Sequence, residues 1–181
     1  MMDPNEREQY RAASHGDRDA FEMIIRTHSR ALFAIAYGIL QNREEAEDAV
    51  QDALVKAWKS RWRVRDPEKF PAWLGTIARY RAHDLLRKRH TVSLEEQPGE
   101  MPGASPDDAF ADTDRQQQVQ LAMVTLPELH RSAVALRYLE DMDYATIERT
   151  LGLSNGALRG ILGRALASMR KQLKPAIASM T

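Results

Sequence analysis

Several features that this sequence lacks exclude whole classes of structure and function. Its 181 residues include no cysteine, which excludes disulfide bonds and thiolate metal sites. No hydrophobic run approaches the length of a membrane-spanning helix, and no signal peptide precedes the first charged helix. We therefore expect a cytoplasmic protein with no membrane insertion. Because no segment alternates convincingly between apolar and polar residues, strands are not expected either.

Catalytic chemistry is not indicated. The chain has no glycine-rich phosphate loop and no nucleophile motif. Its five histidines show no metal-ligand spacing, and each is interpreted as a surface or capping residue: His15, His28, His83, His90 and His130. We expect a protein that is not an enzyme and that holds no metal and no cofactor.

The formal net charge of zero is a sum of strongly charged parts. Residues 56–89 contain eleven basic and three acidic residues, whereas residues 91–114 contain seven acidic residues and no lysine or arginine. From residue 115 onward, nine basic residues outnumber five acidic ones. A neutral total therefore does not exclude a nucleic-acid partner.

The acidic stretch also interrupts the helical pattern. Its three prolines, two glycines and few large apolar residues predict a linker. We therefore predict an all-α fold with two small helical domains, residues 1–90 and 115–181, joined by a flexible acidic linker at 91–114. Beyond a solvated tether, such a segment would also suit a positively charged channel or mimic nucleic acid.

One predicted helix, residues 42–60, carries polar residues that folding does not require. Asn42 is its expected N-cap, with Glu45 completing a capping box. Apolar residues recur at helical spacing on one face, at Ala46, Ala49, Val50, Ala53, Leu54 and Ala57. The opposite face carries Asp48, Gln51, Asp52 and Val55, and a valine among acids suggests a docking surface. The alternative is a solvated acidic face with one stray valine.

Capping residues predict the other helices. Asp3 precedes a first helix that ends near His15, and Asp17 caps a second that runs to about Leu40. A basic helix is predicted over residues 71–89. After the linker come a helix to about Thr125 and another over residues 127–139.

The last third of the chain has the pattern of a helix-turn-helix. Asp143 is the expected cap of a short helix over residues 144–151, Gly152 forms the turn, and Ser154 caps a helix to about Leu173. The positions expected to be buried are Ile147, Leu151, Leu153, Leu158 and Ile161. Such a motif sets its second helix in a DNA major groove.

Together these segments resemble the extracytoplasmic-function group of bacterial sigma factors, the two-domain initiation subunits of RNA polymerase. The resemblance rests on AEDAVQDALVKAW at residues 46–58, FPAWLGTIARYRAHDLLRKR at 70–89 and LPELHRSAVALRYLEDMDYATIERTLGLSNGALRGILGRAL at 126–166. It implies that the predicted docking surface binds the clamp helices of the polymerase β′ subunit. It also implies that the C-terminal domain reads the minus-thirty-five promoter element and contacts the β flap.

The resemblance assigns melting of the minus-ten element to residues 61–89. Its basic residues would hold the separated strand, and its aromatic residues would replace lost base stacking. The basic residues are Arg61, Arg63, Arg65, Arg79, Arg81, Arg87, Lys88 and Arg89, and the aromatic ones are Trp62, Trp73 and Tyr80. Core packing is the alternative role for Trp58, Phe70 and Trp73, whereas Trp62 among arginines is the expected exposed ring.

The recognition helix departs from the family pattern, because GALRGILGRAL replaces a run rich in basic residues. The side chains left to read DNA are Ser154, Asn155, Arg159 and Arg164. Glu148 stands where the family has a small residue, so its carboxylate must tilt outward or be paired, for example with Arg159. The glycines of this helix would permit close approach of another helix or of the DNA backbone.

The expected function is that of a sigma factor, with core RNA polymerase, promoter DNA and an anti-sigma factor as partners. One alternative is a sigma-like adaptor or decoy that binds polymerase or an anti-sigma factor without reading promoters. Another is a stand-alone helix-turn-helix repressor that acts as a dimer.

Overall fold

The fold is helical throughout the part that can be described. The computed structural model describes the backbone of residues 2–95 and 112–178 and the side chains of residues 2–89 and 117–173. Every regular element in these ranges is a helix, which confirms the all-α prediction. The α-helices are α1 (Pro4–Ser14), α2 (Arg18–Leu40), α3 (Arg43–Ser60), α4 (Phe70–Glu95), α5 (Asp112–Val124), α6 (Glu128–Val134), α7 (Tyr144–Leu151) and α8 (Asn155–Ala178). No helix in these ranges combines the length and apolar character that a membrane crossing requires.

Side-chain caps set the starts of four helices, as predicted. The capping side chains accept hydrogen bonds from first-turn N–H groups at 2.7 to 3.0 Å, and they are Asp3, Asp17, Asn42 and Asp143. The second half of the predicted capping box is wrong. Glu45 instead accepts a hydrogen bond from Arg89 at 3.1 Å, because α4 runs beside α3 and offers its carboxylate a cation.

Several boundaries differ from the predictions. Helix α4 continues to Glu95, and α5 begins at Asp112, so both helices extend into the stretch whose composition predicted a linker. After Pro71 in the first turn of α4, no proline follows until Pro98, and Leu94 and Glu95 are good helix formers. Residues 96–111 of the predicted linker lie outside the described residues. A 3₁₀ turn, Pro67–Lys69, precedes α4, and α6 continues as a π-helical turn, Ala135–Leu139.

Helices α1, α3 and α4 pack around α2, whose buried side chains include Ile24, Leu32 and Ile35. The predicted apolar face of α3 is confirmed, and only Leu54 on it is partly buried rather than fully buried. Four alanines on this face are at most 2% exposed: Ala46, Ala49, Ala53 and Ala57. Their small side chains let α3 approach α2 and α4 closely, and the opposite face of α3 is left outside.

Helices α5 to α8 form the second unit. Leu136, Ile147 and Leu158 are fully buried in it, while Leu151 and Leu153 are only partly buried. Gly152 adopts a left-handed conformation with φ of 66°, so the turn of the predicted helix-turn-helix is confirmed. The unit also packs on the first, with α7 against α4 and α6 against α2, so one continuous core includes residues of both.

Candidate functional site: polymerase and DNA interfaces

The docking surface, Asp48, Gln51, Asp52 and Val55, lies on the outer face of α3. All four side chains are exposed, and Val55 is 53% exposed. Among the described residues, the three polar members have no hydrogen bond or ion pair. Because the apolar stripe fixes the rotation of α3, these four groups are presented together. A polar ring around an exposed apolar side chain suits contact with another protein.

The melting segment, residues 61–89, presents two exposed aromatic rings. Trp62 is 66% exposed in a 3₁₀ turn, Arg61–Arg63, and Tyr80 is 68% exposed on α4. The Arg63 guanidinium lies 5.3 Å from the centre of the Trp62 ring, and Arg65 is also exposed. An exposed ring beside exposed cations can stack on a base while the cations contact phosphates.

Arg61 and Trp73 are engaged inside the fold. Arg61 donates to the carbonyl oxygen of Trp58 at 2.6 Å, and its guanidinium lies 3.9 Å from the centre of the Trp58 ring. Trp73 is partly buried and packs edge to face on Phe70. These contacts support the core role that the sequence offered as an alternative for Trp73.

Most other cations of the melting segment have acidic partners. Arg79 lies 3.3 Å from Glu128, and Arg81 lies 3.6 Å from Asp84. Arg87 also pairs with Asp84, and Arg89 pairs with Glu45 as described above. Lys88 is exposed. The strongly basic character of residues 56–89 is thus partly neutralised by neighbouring carboxylates, while Arg63 and Arg65, which flank Trp62 in the sequence, stay exposed.

The recognition face, Ser154, Asn155, Arg159 and Arg164, is exposed at the start of α8. Ser154 caps the helix by accepting from the N–H of Ala157 at 3.3 Å, as predicted. Asn155 donates to Glu148 at 2.5 Å and accepts from Arg159 at 2.9 Å. Glu148 is therefore paired through Asn155 rather than directly with Arg159.

Arg164 and the glycines complete the recognition helix. Partial burial lowers the pKa of His130, and the positive charge of Arg164 lowers it further. A Cβ atom added at Gly156 or Gly163 would meet nothing within 4 Å, so no described helix packs against these glycines. Close approach of the DNA backbone and close approach of a helix from another protein both stay predictions for these glycines.

Two family models match the chain, sigma-70 region 2 over residues 24–91 and sigma-70 region 4 over residues 116–169. The RNA polymerase sigma-E factor of Streptomyces avermitilis is 33% identical over 164 residues, covering 89% of this chain and 89% of that protein. The ECF RNA polymerase sigma factor SigW of Bacillus subtilis is 26% identical over 171 residues, covering 88% of this chain and 91% of that protein. This chain belongs to the extracytoplasmic-function sigma factors.

Solved structures agree with that membership. CnrH in complex with the cytosolic domain of CnrY is 25% identical with a TM-score of 0.64, covering 94% of this sigma factor and 97% of that chain. The sigma factor RpoE in complex with the anti-sigma factor NepR from Bartonella quintana is also 25% identical, with a TM-score of 0.62, and covers 85% and 96%. As a sigma factor, the protein binds core RNA polymerase and promoter DNA in transcription initiation.

Sequence reasoning missed a polar network that joins the sigma factor's two units. His28 is 5% exposed, so its prediction as a surface or capping residue is wrong. Its Nε2 lies 2.5 Å from the Tyr10 hydroxyl, which donates to Glu6 at 3.2 Å, and Glu6 accepts from Arg149 at 2.9 Å. Burial lowers the pKa of His28 to about 4 and raises that of Tyr10. No local sequence signal marks this network, because its four members come from α1, α2 and α7.

Proposed function

We propose that this sigma factor binds core polymerase through the docking surface on α3. The observation that carries the proposal is the contrast between the two faces of that helix. One face is packed against α2 and α4, while Asp48, Gln51 and Asp52 surround an exposed Val55 without intramolecular partners among the described residues. We place this interaction in the cytoplasm and assign the chemistry of RNA synthesis to the polymerase.

For promoter opening, we propose that Trp62 and Tyr80 stack on unpaired bases of the minus-ten element. Arg63, Arg65 and Lys88 would contact the phosphates, since all three are exposed. Arg79, Arg81 and Arg89 would contribute only after release from their carboxylate partners, while Arg61 and Trp73 would support the fold of the segment. Asn155, Arg159 and Arg164 would contact the minus-thirty-five element.

We also propose an anti-sigma factor as a regulatory partner. The support is that RpoE, which has a similar fold over 85% of this chain, was solved with the anti-sigma factor NepR. The proposed division into domains at 1–90 and 115–181 draws support from the two family models, which match 24–91 and 116–169.

The adaptor or decoy is the second candidate, favoured by one observation. Asn155, the expected base-reading side chain, is bonded to both Glu148 and Arg159. A carboxylate on the recognition face opposes DNA phosphates. A protein with this face would retain polymerase binding and lose promoter reading.

Run-off transcription with bacterial core polymerase on a library of promoter fragments tests these functions. The wild type is compared with an Asp48→Arg, Gln51→Ala double variant and with Glu22→Arg, an exposed charge reversal on α2. We expect specific transcripts from the wild type and the control and none from the double variant. Polymerase binding without transcripts would favour the adaptor, whereas specific DNA binding without polymerase would favour a repressor.

A further inference from the structure

One short loop carries the exposed Trp62 ring between α3 and α4. This opening loop, residues 61–69, contains two single 3₁₀ turns, Arg61–Arg63 and Pro67–Lys69, with a buried Val64 between them. Single turns have few backbone hydrogen bonds of their own, so the elements packed against such a loop determine its shape. Helix α1 lies against both turns.

Two side chains of α1 contact the C-terminal end of the opening loop. Arg7 forms an ion pair with Glu68, and both side chains are about half exposed. Tyr10 stacks on Phe70, with the ring centres 5.1 Å apart and the planes inclined by 22°. Because residues three apart share one face of a helix, a single face of α1 meets both the loop and the first residue of α4.

The aromatic part of this contact is buried. Tyr10 is 2% exposed, and Phe70 is fully buried. The Tyr10 hydroxyl lies 2.5 Å from Nε2 of His28, so the ring is also tied to α2. Phe70 in turn packs edge to face on Trp73, with the ring centres 5.2 Å apart. These contacts join α1, α2 and the start of α4, and they fix the point at which the opening loop ends.

Helix α1 is separate from the surfaces assigned to polymerase and DNA. It ends before residue 24, where the match to sigma-70 region 2 begins, and it carries none of the residues proposed for binding. A ring binds an unpaired base more favourably when its position is set before the base arrives, because less freedom is then lost on binding. Restraint of the opening loop by α1 therefore favours strand separation without any contact between α1 and DNA.

We propose that Arg7 and Tyr10 are positioning residues for promoter opening, through which α1 keeps the opening loop in the shape that presents Trp62 to the unpaired strand. The inference rests on the proposed function of Trp62. The restraint of the loop by α1 is a property of the free protein, so it can be measured without polymerase.

A double-mutant cycle of Arg7→Glu, Glu68→Arg and the two changes together tests the ion pair. A direct effect of either charge on DNA adds independently, whereas an effect through the pair appears as coupling. In the free protein, Arg7→Glu should speed amide hydrogen exchange of Lys69, which donates to the Asp66 carbonyl oxygen at 3.0 Å, by roughly threefold, and the double variant should restore it. Arg11→Glu makes the same charge change at an exposed position on α1 and should leave this rate unchanged.

Transcription by the holoenzyme provides the functional half of the test. A duplex promoter is compared with the same promoter already unpaired at the minus-ten element. A variant that merely folds less well loses transcripts from both templates, whereas a misplaced opening loop lowers the ratio of duplex to unpaired-template transcripts. We expect this template ratio to fall roughly fivefold in Arg7→Glu, to recover in the double variant and to stay unchanged in Arg11→Glu. Core polymerase binding should stay within about twofold of the wild type in all of them.

A second pair of variants tests the aromatic contact. Tyr10→Leu and Tyr10→Phe both lose the hydroxyl that bonds His28 and Glu6, but only Tyr10→Leu loses the ring that stacks on Phe70. We expect the template ratio to be roughly fivefold lower in Tyr10→Leu than in Tyr10→Phe. Because both variants lose the same hydrogen bonds, their difference isolates the stacked ring.

Additive effects of Arg7→Glu and Glu68→Arg on hydrogen exchange would overturn the restraint by the ion pair, and additive effects on the template ratio would overturn its role in opening. Equal template ratios for Tyr10→Leu and Tyr10→Phe would remove Tyr10 from that role. If the wild type binds no core polymerase, the proposed function fails instead, and hydrogen exchange still decides whether α1 restrains the loop.

Discussion

The docking surface on α3 and the recognition face on α8 are both exposed, yet their side chains are in opposite states. Asp48, Gln51 and Asp52 are unbonded within the described residues, whereas Asn155 already bonds Glu148 and Arg159. A partner at α3 replaces only water. DNA at α8 must also break bonds within the protein, so exposure alone does not measure readiness to bind.

The largest effect is expected at the centre of the docking surface. Val55→Arg puts a charge where a polymerase partner would cover an apolar group, and such a central position typically contributes about 2 kcal/mol, or roughly thirtyfold in affinity. Folding should be unaffected because Val55 is 53% exposed. Competition binding to core polymerase measures the loss. Met23→Arg, at an apolar residue 51% exposed on α2, is the control, and equal losses in both variants would remove α3 from the interface.

An effect of pH on stability is expected from His28, which belongs to neither surface. The pKa of buried His28 is about 4, below its ordinary value, so between pH 6.5 and pH 4 the unfolded chain binds a proton that the folded chain does not. The free energy of unfolding therefore falls as the pH falls through this window, by about 2 kcal/mol at pH 5. Urea unfolding at pH 7 and pH 5 measures this, and His28→Phe should lack that part of the pH dependence. An unchanged pH dependence in His28→Phe would show that other groups cause it.

A smaller effect is expected on the recognition face. Asn155→Ala removes the proposed base contact, but it also removes bonds that the free protein must break. We therefore expect a net loss near 1 kcal/mol, about fivefold in transcription, toward the low end of base contacts. Gln172→Ala removes an exposed amide farther along α8 and should have no such effect. If the two variants transcribe equally well, Asn155 does not read the promoter.

The smallest effect should be a gain. Glu148→Gln keeps an acceptor for Asn155 but removes the negative charge beside the recognition face, so promoter-dependent transcription should rise roughly two- to threefold, or ~0.5 kcal/mol, and less at high salt. Asp141→Asn, also in the helix-turn-helix unit and 93% exposed, matches the charge change. A gain of the same size in Asp141→Asn would point to overall charge rather than to the recognition face.

Sequence analysis predicted the features that residues close together in the chain determine, and it missed those that depend on residues far apart in the chain. Caps at Asp17 and Asp143 depend on neighbours three residues away, and the apolar stripe of α3 depends on one helical period, so both were predictable. The internal role of Arg61 depends on how its guanidinium packs on the Trp58 ring. The burial of His28 depends on Tyr10, and the bond from Glu6 to Arg149 joins residues 143 positions apart. Such pairings come from tertiary packing, which no local pattern contains.

Gly16 and Arg61 are tied by the same kind of distant contact. Gly16 has φ of 104°, and a Cβ atom there would lie 3.0 Å from Nη2 of Arg61. A side chain at position 16 would be strained at this φ, and its Cβ would require the Arg61 guanidinium on the Trp58 ring to shift by a few tenths of an ångström. A substitution at position 16 therefore also bears on Arg61, and through Arg61 the short connection between α1 and α2 affects the turn that carries Trp62.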